Sequence, residues 1–395
     1  MGPDLGDGEP SAFAIVANAC RTAATGRPSV RDPGNLQPPN GDAMVAMAER
    51  HRVSAQVLRL LARYPGLDDA AAVKLSDMAQ QRQLSALRLS SVTGAVSQAL
   101  SGAGVRHLVL KGPALSHRLY GDLAARDCKD IDIVVDPDAR LAAEAVIAEL
   151  GFGRADGTTA PPQDQWHRAV GPKDVSFRSR DRSIELELHD RLFDNARLMP
   201  RSFEQYWADR DTLVVAGTAL PLLSATDELL YLCGHGATCA WFRLKWLQDI
   251  ARIIATSPPE VLKGFAGTAR QRGVWPMVLS AAILVEDIFD LPAGDVIAGA
   301  RSRGVARIVD EAHRALDAPA PASASSSPSI AQLWRLLALQ LGLRNDWRYR
   351  RAVIARALVS QNDLDTVKLP GWASWLYYPL RPILFAWRRL RRREG

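Results

Sequence analysis

The sequence predicts an α+β fold: a small mixed β-sheet core flanked by N- and C-terminal α-helical regions. Two observations lead there. Between residues 105 and 200, short stretches alternate apolar and polar residues with period two, the spacing of half-buried strands, and Gly or Asp-Pro turns separate them. On either side, over 43–104 and 201–316, apolar residues recur at helical spacing instead.

Residues 1–42 are rich in Gly, Pro, Asp and Asn and read as a largely flexible N-terminal arm. The apolar patch Phe13–Cys20 within it has the length of one or two docked helix turns. From Ala43, Met44, Val45, Met47 and Ala48 share a face, followed by Val53, Val57, Leu58, Leu60 and Leu61. Gly66 ends this segment and Asp68-Asp69 supply caps for the next. A long helix runs from Ala70 to about Leu100, with Leu84, Leu87, Leu89, Val92, Val96 and Leu100 as its expected apolar ridge.

Gly102 and Gly104 break that helix, and VRHLVL is a strand. Lys111-Gly112 turns the chain into the helix ALSHRLYGDL, and DIDIVV is a second strand. A helix over DARLAAEAVIAELGF stops at Gly151, as a helix C-terminus does. A polar loop fills 153–172, and two alternating segments follow, VSFRS and SIELELHDRL. In the latter Glu185, Glu187 and His189 share one face, expected to point outward, while Ile184, Leu186 and Leu188 share the other. The region 201–316 reads as mostly helical, 317–329 as a flexible Pro/Ala/Ser linker, and 330–395 as C-terminal helices with a basic aromatic tail.

The net charge of +6 is modest, and much of it lies between Arg381 and Arg393. That pattern argues for a local basic tail and against a specific nucleic-acid binder. Four scattered cysteines without a C-x-x-C pair are neither a disulfide framework nor a zinc signature. The acidic N-terminus is unlike a signal peptide, and no apolar run reaches the ~18 residues of a spanning helix. A cytoplasmic protein is therefore expected. In 370–395 Trp372, Trp375, Tyr377, Tyr378, Phe385 and Trp387 interleave with arginines, a composition suited to weak membrane-surface contact. Pro379 and Pro382 interrupt any long amphipathic helix there, which favours docking back on the protein.

The chemistry concentrates between Val105 and Pro137. Asp130 and Asp132, two apart on a strand, project from one face, and like charges so close call for a cation between them. Magnesium takes one or two carboxylates plus substrate phosphates, and Glu187 on a nearby strand is a candidate third acid. The Lys111-Gly112 turn opens a helix, whose N-terminus favours phosphate.

Strand, Gly turn, helix, carboxylate pair and later acidic strand together resemble the nucleotidyltransferase superfamily related to DNA polymerase beta. More narrowly, the chain is similar to a bacterial family of uncharacterised nucleotidyltransferases. Leu110-Lys111-Gly112, Tyr120, Arg126, Asp130-Ile131-Asp132, Glu187-Leu188-His189, His235-Gly236, Leu244-Lys245-Trp246 and Asp249 carry that resemblance, from about residue 43 onward. It implies a metal-dependent enzyme that moves a nucleoside monophosphate from an NTP to an unidentified acceptor and releases pyrophosphate. Asp130, Asp132 and Glu187 are then the catalytic and metal-binding acids for Mg²⁺ (or Mn²⁺). Lys111, Gly112, Arg126, His189 and Lys245 are the expected nucleotide-binding residues. The Lys-Gly turn departs from the Gly-Gly or Gly-Ser of the wider superfamily.

Several of these residues have a second reading in the sequence. Arg126 has either a structural ion pair with Asp130 or a triphosphate to bind. Lys245 and Asp249, four apart on a helix, form either an ordinary ion pair or a nucleotide contact. His235 reads as a buried, hydrogen-bonded histidine. For the whole chain the rival readings are a D-x-D sugar-nucleotide glycosyltransferase and a non-catalytic nucleotide-binding protein of the same fold.

Overall fold

The structure is a computed structural model, and it describes residues 11–27, 40–61, 69–157, 172–294, 299, 301–318, 329–358 and 380. Four helices lead into the sheet: α1 (Ala12–Thr25), α2 (Gly41–His51), α3 (Ser54–Leu61) and α4 (Asp69–Gly102). Ser11 caps α1 at its start and Gly26, in the left-handed region, at its end. This helix is longer than the one or two turns expected. Ile15, Val16, Ala19 and Cys20 are buried against the later helix α9 (Leu244–Thr256), so this part of the N-terminal region belongs to the core.

Next come β1 (His107–Val109), α5 (Gly112–Tyr120), β2 (Asp130–Val135), a single 3₁₀ turn and α6 (Arg140–Glu149). The strands β3 (Phe152–Arg154), β4 (Asp174–Ser179) and β5 (Glu185–His189) follow, then α7 (Phe203–Ala208), β6 (Asp211–Val215) and β7 (Thr218–Leu222). The remaining described helices are α8 (Ala225–Thr238), α9, α10 (Pro259–Gln271), α11 (Trp275–Phe289), α12 (Arg303–Asp317), α13 (Ile330–Gly342) and α14 (Trp347–Ala357).

The described strands form one mixed sheet of seven in the order β3-β4-β5-β2-β1-β7-β6. β2 runs antiparallel to β1 and parallel to β5, and β1 runs parallel to β7. Side-chain alternation gives the two faces of β2 different neighbours. Ile131, Ile133 and Val135 share a core with Leu89, Val96 and Leu100 of α4. Val134 packs instead in the core built from α1, α8, α9 and α11, and Asp130 and Asp132 lie on that same side by period two.

Three expectations change. The inward stripe of α4 is Ala86, Leu89, Thr93, Val96 and Leu100, whereas Leu84 and Leu87 are 62% and 49% exposed. Residues 86, 89, 93, 96 and 100 keep a strict helical stripe, and 84 and 87 fall on the opposite face. Second, the region after 201 contributes a β-hairpin as well as helices. Its two-residue turn is Ala216-Gly217, both at positive φ, the geometry that matches strand twist. Third, the acidic face of β5 does not point outward. β5 is an interior strand between β2 and β4, and His189 is fully buried while Glu187 is half-buried. Gly66, most of the 153–172 loop and of the 317–329 linker, and the aromatic tail lie outside the described residues. Among the described residues no helix is long and apolar enough to cross a membrane.

Candidate active site

Parallel pairing of β2 with β5 sets Asp132 opposite Glu187 and Val134 opposite His189. β4 pairs on the far side of β5 with Asp174 opposite His189. Strand geometry alone thus brings three carboxylates and an imidazole to one face. Nε2 of His189 lies 3.2 Å from Oδ1 of Asp132 and 3.5 Å from Oε2 of Glu187. Its Nδ1 lies 3.7 Å from Oδ2 of Asp174 and 3.2 Å from Nζ of Lys173, which also pairs with Asp174.

Lys111 completes the cluster from the other side. The amide of Leu110 donates to the Asp132 carbonyl, extending the β1–β2 ladder to the edge of the turn. Gly112 then takes φ +66, a conformation that a side chain would strain, and the chain turns into α5. The result sets Nζ of Lys111 3.1 Å from Oδ1 of Asp132, with the Tyr231 ring 5.8 Å from the ammonium.

Electrostatics separate the two aspartates. Burial pushes the Asp132 carboxyl up, but Lys111 and His189 outweigh it and hold it well below the carboxylate range. Asp130 goes the other way, raised by burial and by the neighbouring Asp132 charge. Burial also opposes charge on Lys111, yet Asp132 leads a set of anionic neighbours that keep its ammonium above the usual lysine range. For His189, burial and Lys173 oppose the imidazolium, and Asp132 and Glu187 raise its pKa past both.

Donor atoms of Asp132, Glu187 and His189 all lie within 4.8 Å of one another. Two carboxylate oxygens fit the hard-oxygen preference of Mg²⁺ or Mn²⁺, and the imidazole adds a nitrogen that Mn²⁺ tolerates better. The residues present therefore suit a divalent cation. Asp130, expected as a ligand, sits one pleat away on the same face and outside this trio.

Arg126 and Lys245 have other partners than those expected. Arg126 is buried and its Nε donates to Oδ2 of Asp249 at 2.7 Å, not to Asp130. Tyr120 donates its hydroxyl to the other oxygen of Asp249 at 3.1 Å. With Asp249 committed there, the Lys245–Asp249 ion pair does not form. Nζ of Lys245 donates instead to the Asp127 carbonyl at 3.1 Å. Burial, then the charges of Arg126 and Arg52, lower its pKa to about 7. These contacts tie the segment entering β2 to α9. His235 lies against aromatic rings, edge-on to Trp246 at 5.0 Å, and burial keeps it neutral.

Sequence reasoning missed Lys173, Asp174 and Tyr231. Extending VSFRS by one residue and pairing it with ELELH would have set Asp174 beside His189. Tyr231, over a hundred residues from Lys111, leaves no such local signal.

A family model described as "Uncharacterised nucleotidyltransferase" matches residues 37–290. No curated protein matches the chain. A solved structure, of an antigenic nucleotidyltransferase-like protein from Paracoccidioides brasiliensis, is similar at 16% identity and a TM-score of 0.30, over 52% of this chain and 93% of that one.

Proposed function

The chain belongs to this family of uncharacterised nucleotidyltransferases, and from that premise we propose that it transfers a nucleoside monophosphate from an NTP to a hydroxyl or phosphate acceptor, releasing pyrophosphate. The observation that carries the reading is the convergence of Asp132, Glu187 and His189 on one face of the central strands β2 and β5. Asp132 and Glu187 would hold a divalent cation, with His189 beside them. Such a cation, when bound, neutralises triphosphate charge and favours the ionised acceptor oxygen.

The chain's own groups do the rest. Lys111 stands at the N-terminus of α5, where its ammonium and the helix dipole favour a phosphate. Glu187 is the most exposed of the trio, with 27% of its side chain accessible, and takes the proton of the acceptor. The acceptor oxygen forms a bond to the α-phosphorus while the bond to the bridging oxygen breaks, and pyrophosphate carries away that electron pair. Lys173 and Asp174 hold His189 from behind, so that Nε2 faces the carboxylates.

Labelled nucleotide tests this reaction type. With Mg²⁺ or Mn²⁺ and fractionated cell extract as the source of acceptor, label should move from α-³²P-NTP and not from γ-³²P-NTP. Transfer of the γ label would make the protein a kinase and overturn the proposal.

A further inference from the structure

A cavity of about 1120 Å³ opens beyond the C-terminal ends of β2 and β5, between the segment 190–206 and α14. Its walls carry neither Asp132 nor Glu187, so it is a feature separate from the acidic cluster. Its floor is apolar, with Val134, Leu192, Phe193, Met199 and Phe203, and Ile354 adds an exposed apolar side chain near the mouth. Most of its walls are apolar too, which suits a hydrocarbon chain.

Charge bookkeeping on the rim is uneven. Each acid that lines the cavity already has an arginine partner: Asp136 and Glu204 share Arg106, Asp190 has both Arg140 and Arg191, and Asp194 has Arg356, so these four acids face four arginines. Arg201 is committed to Asp209 and Asp227. That leaves Arg197, Arg348 and Arg351, for which no carboxylate lies in ion-pair range among the described residues. Arg348 and Arg351 stand together, each 5.6 Å from the Trp347 ring, one turn from Ile354. Surplus guanidinium groups at the mouth of an apolar cavity select an anionic head on an apolar chain, and planar N–H forks match a phosphate.

We propose that the cavity between α14 and residues 190–206 binds an anionic amphiphile, a long hydrocarbon chain ending in a phosphate. The site does not depend on the transfer reaction, and its test involves neither NTP nor metal.

The full chain is titrated calorimetrically, below micelle concentrations, with dodecyl phosphate, with uncharged dodecyl maltoside and with inorganic phosphate. Dodecyl phosphate should bind about tenfold or more tighter than either of the others. Arg348→Glu with Arg351→Glu should remove that preference, and Ile354→Glu should weaken binding about tenfold; all three positions are exposed, so the fold should tolerate the changes. Equal affinity for inorganic phosphate would make this a simple anion site, and equal affinity for the maltoside a simple apolar one. Either result, unchanged binding by the variants, or no binding at all, overturns the proposal.

Discussion

The ammonium of Lys111 and the carboxylate of Asp132 form a buried ion pair at 3.1 Å, made by a turn and a strand that the β1–β2 ladder places side by side. Removing one member of such a pair leaves an uncompensated charge, which commonly costs about 3–5 kcal/mol. Lys111→Met should therefore unfold at a clearly lower temperature than wild type in chelator-treated buffer. A divalent cation should recover stability more in the variant than in wild type, because it supplies the missing positive charge. Thermal melts with and without Mn²⁺ check this; equal cation effects on both proteins would contradict it.

Arg126 and Asp249 form a second buried pair, across 123 residues of sequence. Asp249→Ala should destabilise by a comparable ~3–5 kcal/mol, read as a shift in urea midpoint. The double variant Arg126→Met with Asp249→Leu should recover much of that loss, since it removes both charges together. No recovery would mean that the arginine serves something other than this pair.

Local signals made part of this architecture readable. The period-two pattern of DIDIVV and ELELH located the strands that carry the acids, and the register of β2 on β5 did the rest. The long helix α4 was equally plain as a helix, although Leu84 and Leu87 of its expected apolar ridge face solvent. What escaped were pairings over long range. Asp249 is assigned to Arg126 rather than to Lys245 only by the packing of α9 on the segment before β2. The hairpin β6–β7 was masked because its apolar residues suit a helix as well as a strand, and only its turn at Ala216-Gly217 distinguishes them.

Gly236 illustrates a packing constraint behind a sequence motif. A Cβ there would lie 2.2 Å from the Trp241 ring, which is fully buried and follows Ala240 at positive φ. With the ring fixed by its own backbone, Gly236→Ala should cost about 1–3 kcal/mol as overpacking. Chemical denaturation measures this, with the exposed Gly264→Ala, where a Cβ meets nothing within 4 Å, as a control that should be neutral or stabilising.

Glu228 predicts a pH dependence. Burial raises its pKa from 4.5 to about 7, and Arg118, 3.4 Å away, offsets only part of that. Between those two values the folded state holds a proton that the unfolded state has released. Stability contributed by this group is therefore full below about pH 4.5, falls as pH rises, and is gone above about 7, a change of at most ~3 kcal/mol. Glu228→Gln should flatten that part of the stability–pH profile in urea titrations from pH 5 to 8. An unchanged slope would show that the carboxyl is not the source.

The pairing of Asp132 with Glu187 across β2 and β5 is the centre of the proposed function, and metal-dependent nucleotide binding tests it most directly. Equilibrium dialysis of a non-hydrolysable NTP against wild type should show binding that requires Mg²⁺ or Mn²⁺. Asp132→Asn and Glu187→Gln should each weaken it about tenfold or more, the scale of a lost charged ligand at such a site. Metal-dependent binding of equal strength by wild type and the double variant would contradict the assignment of these two carboxylates.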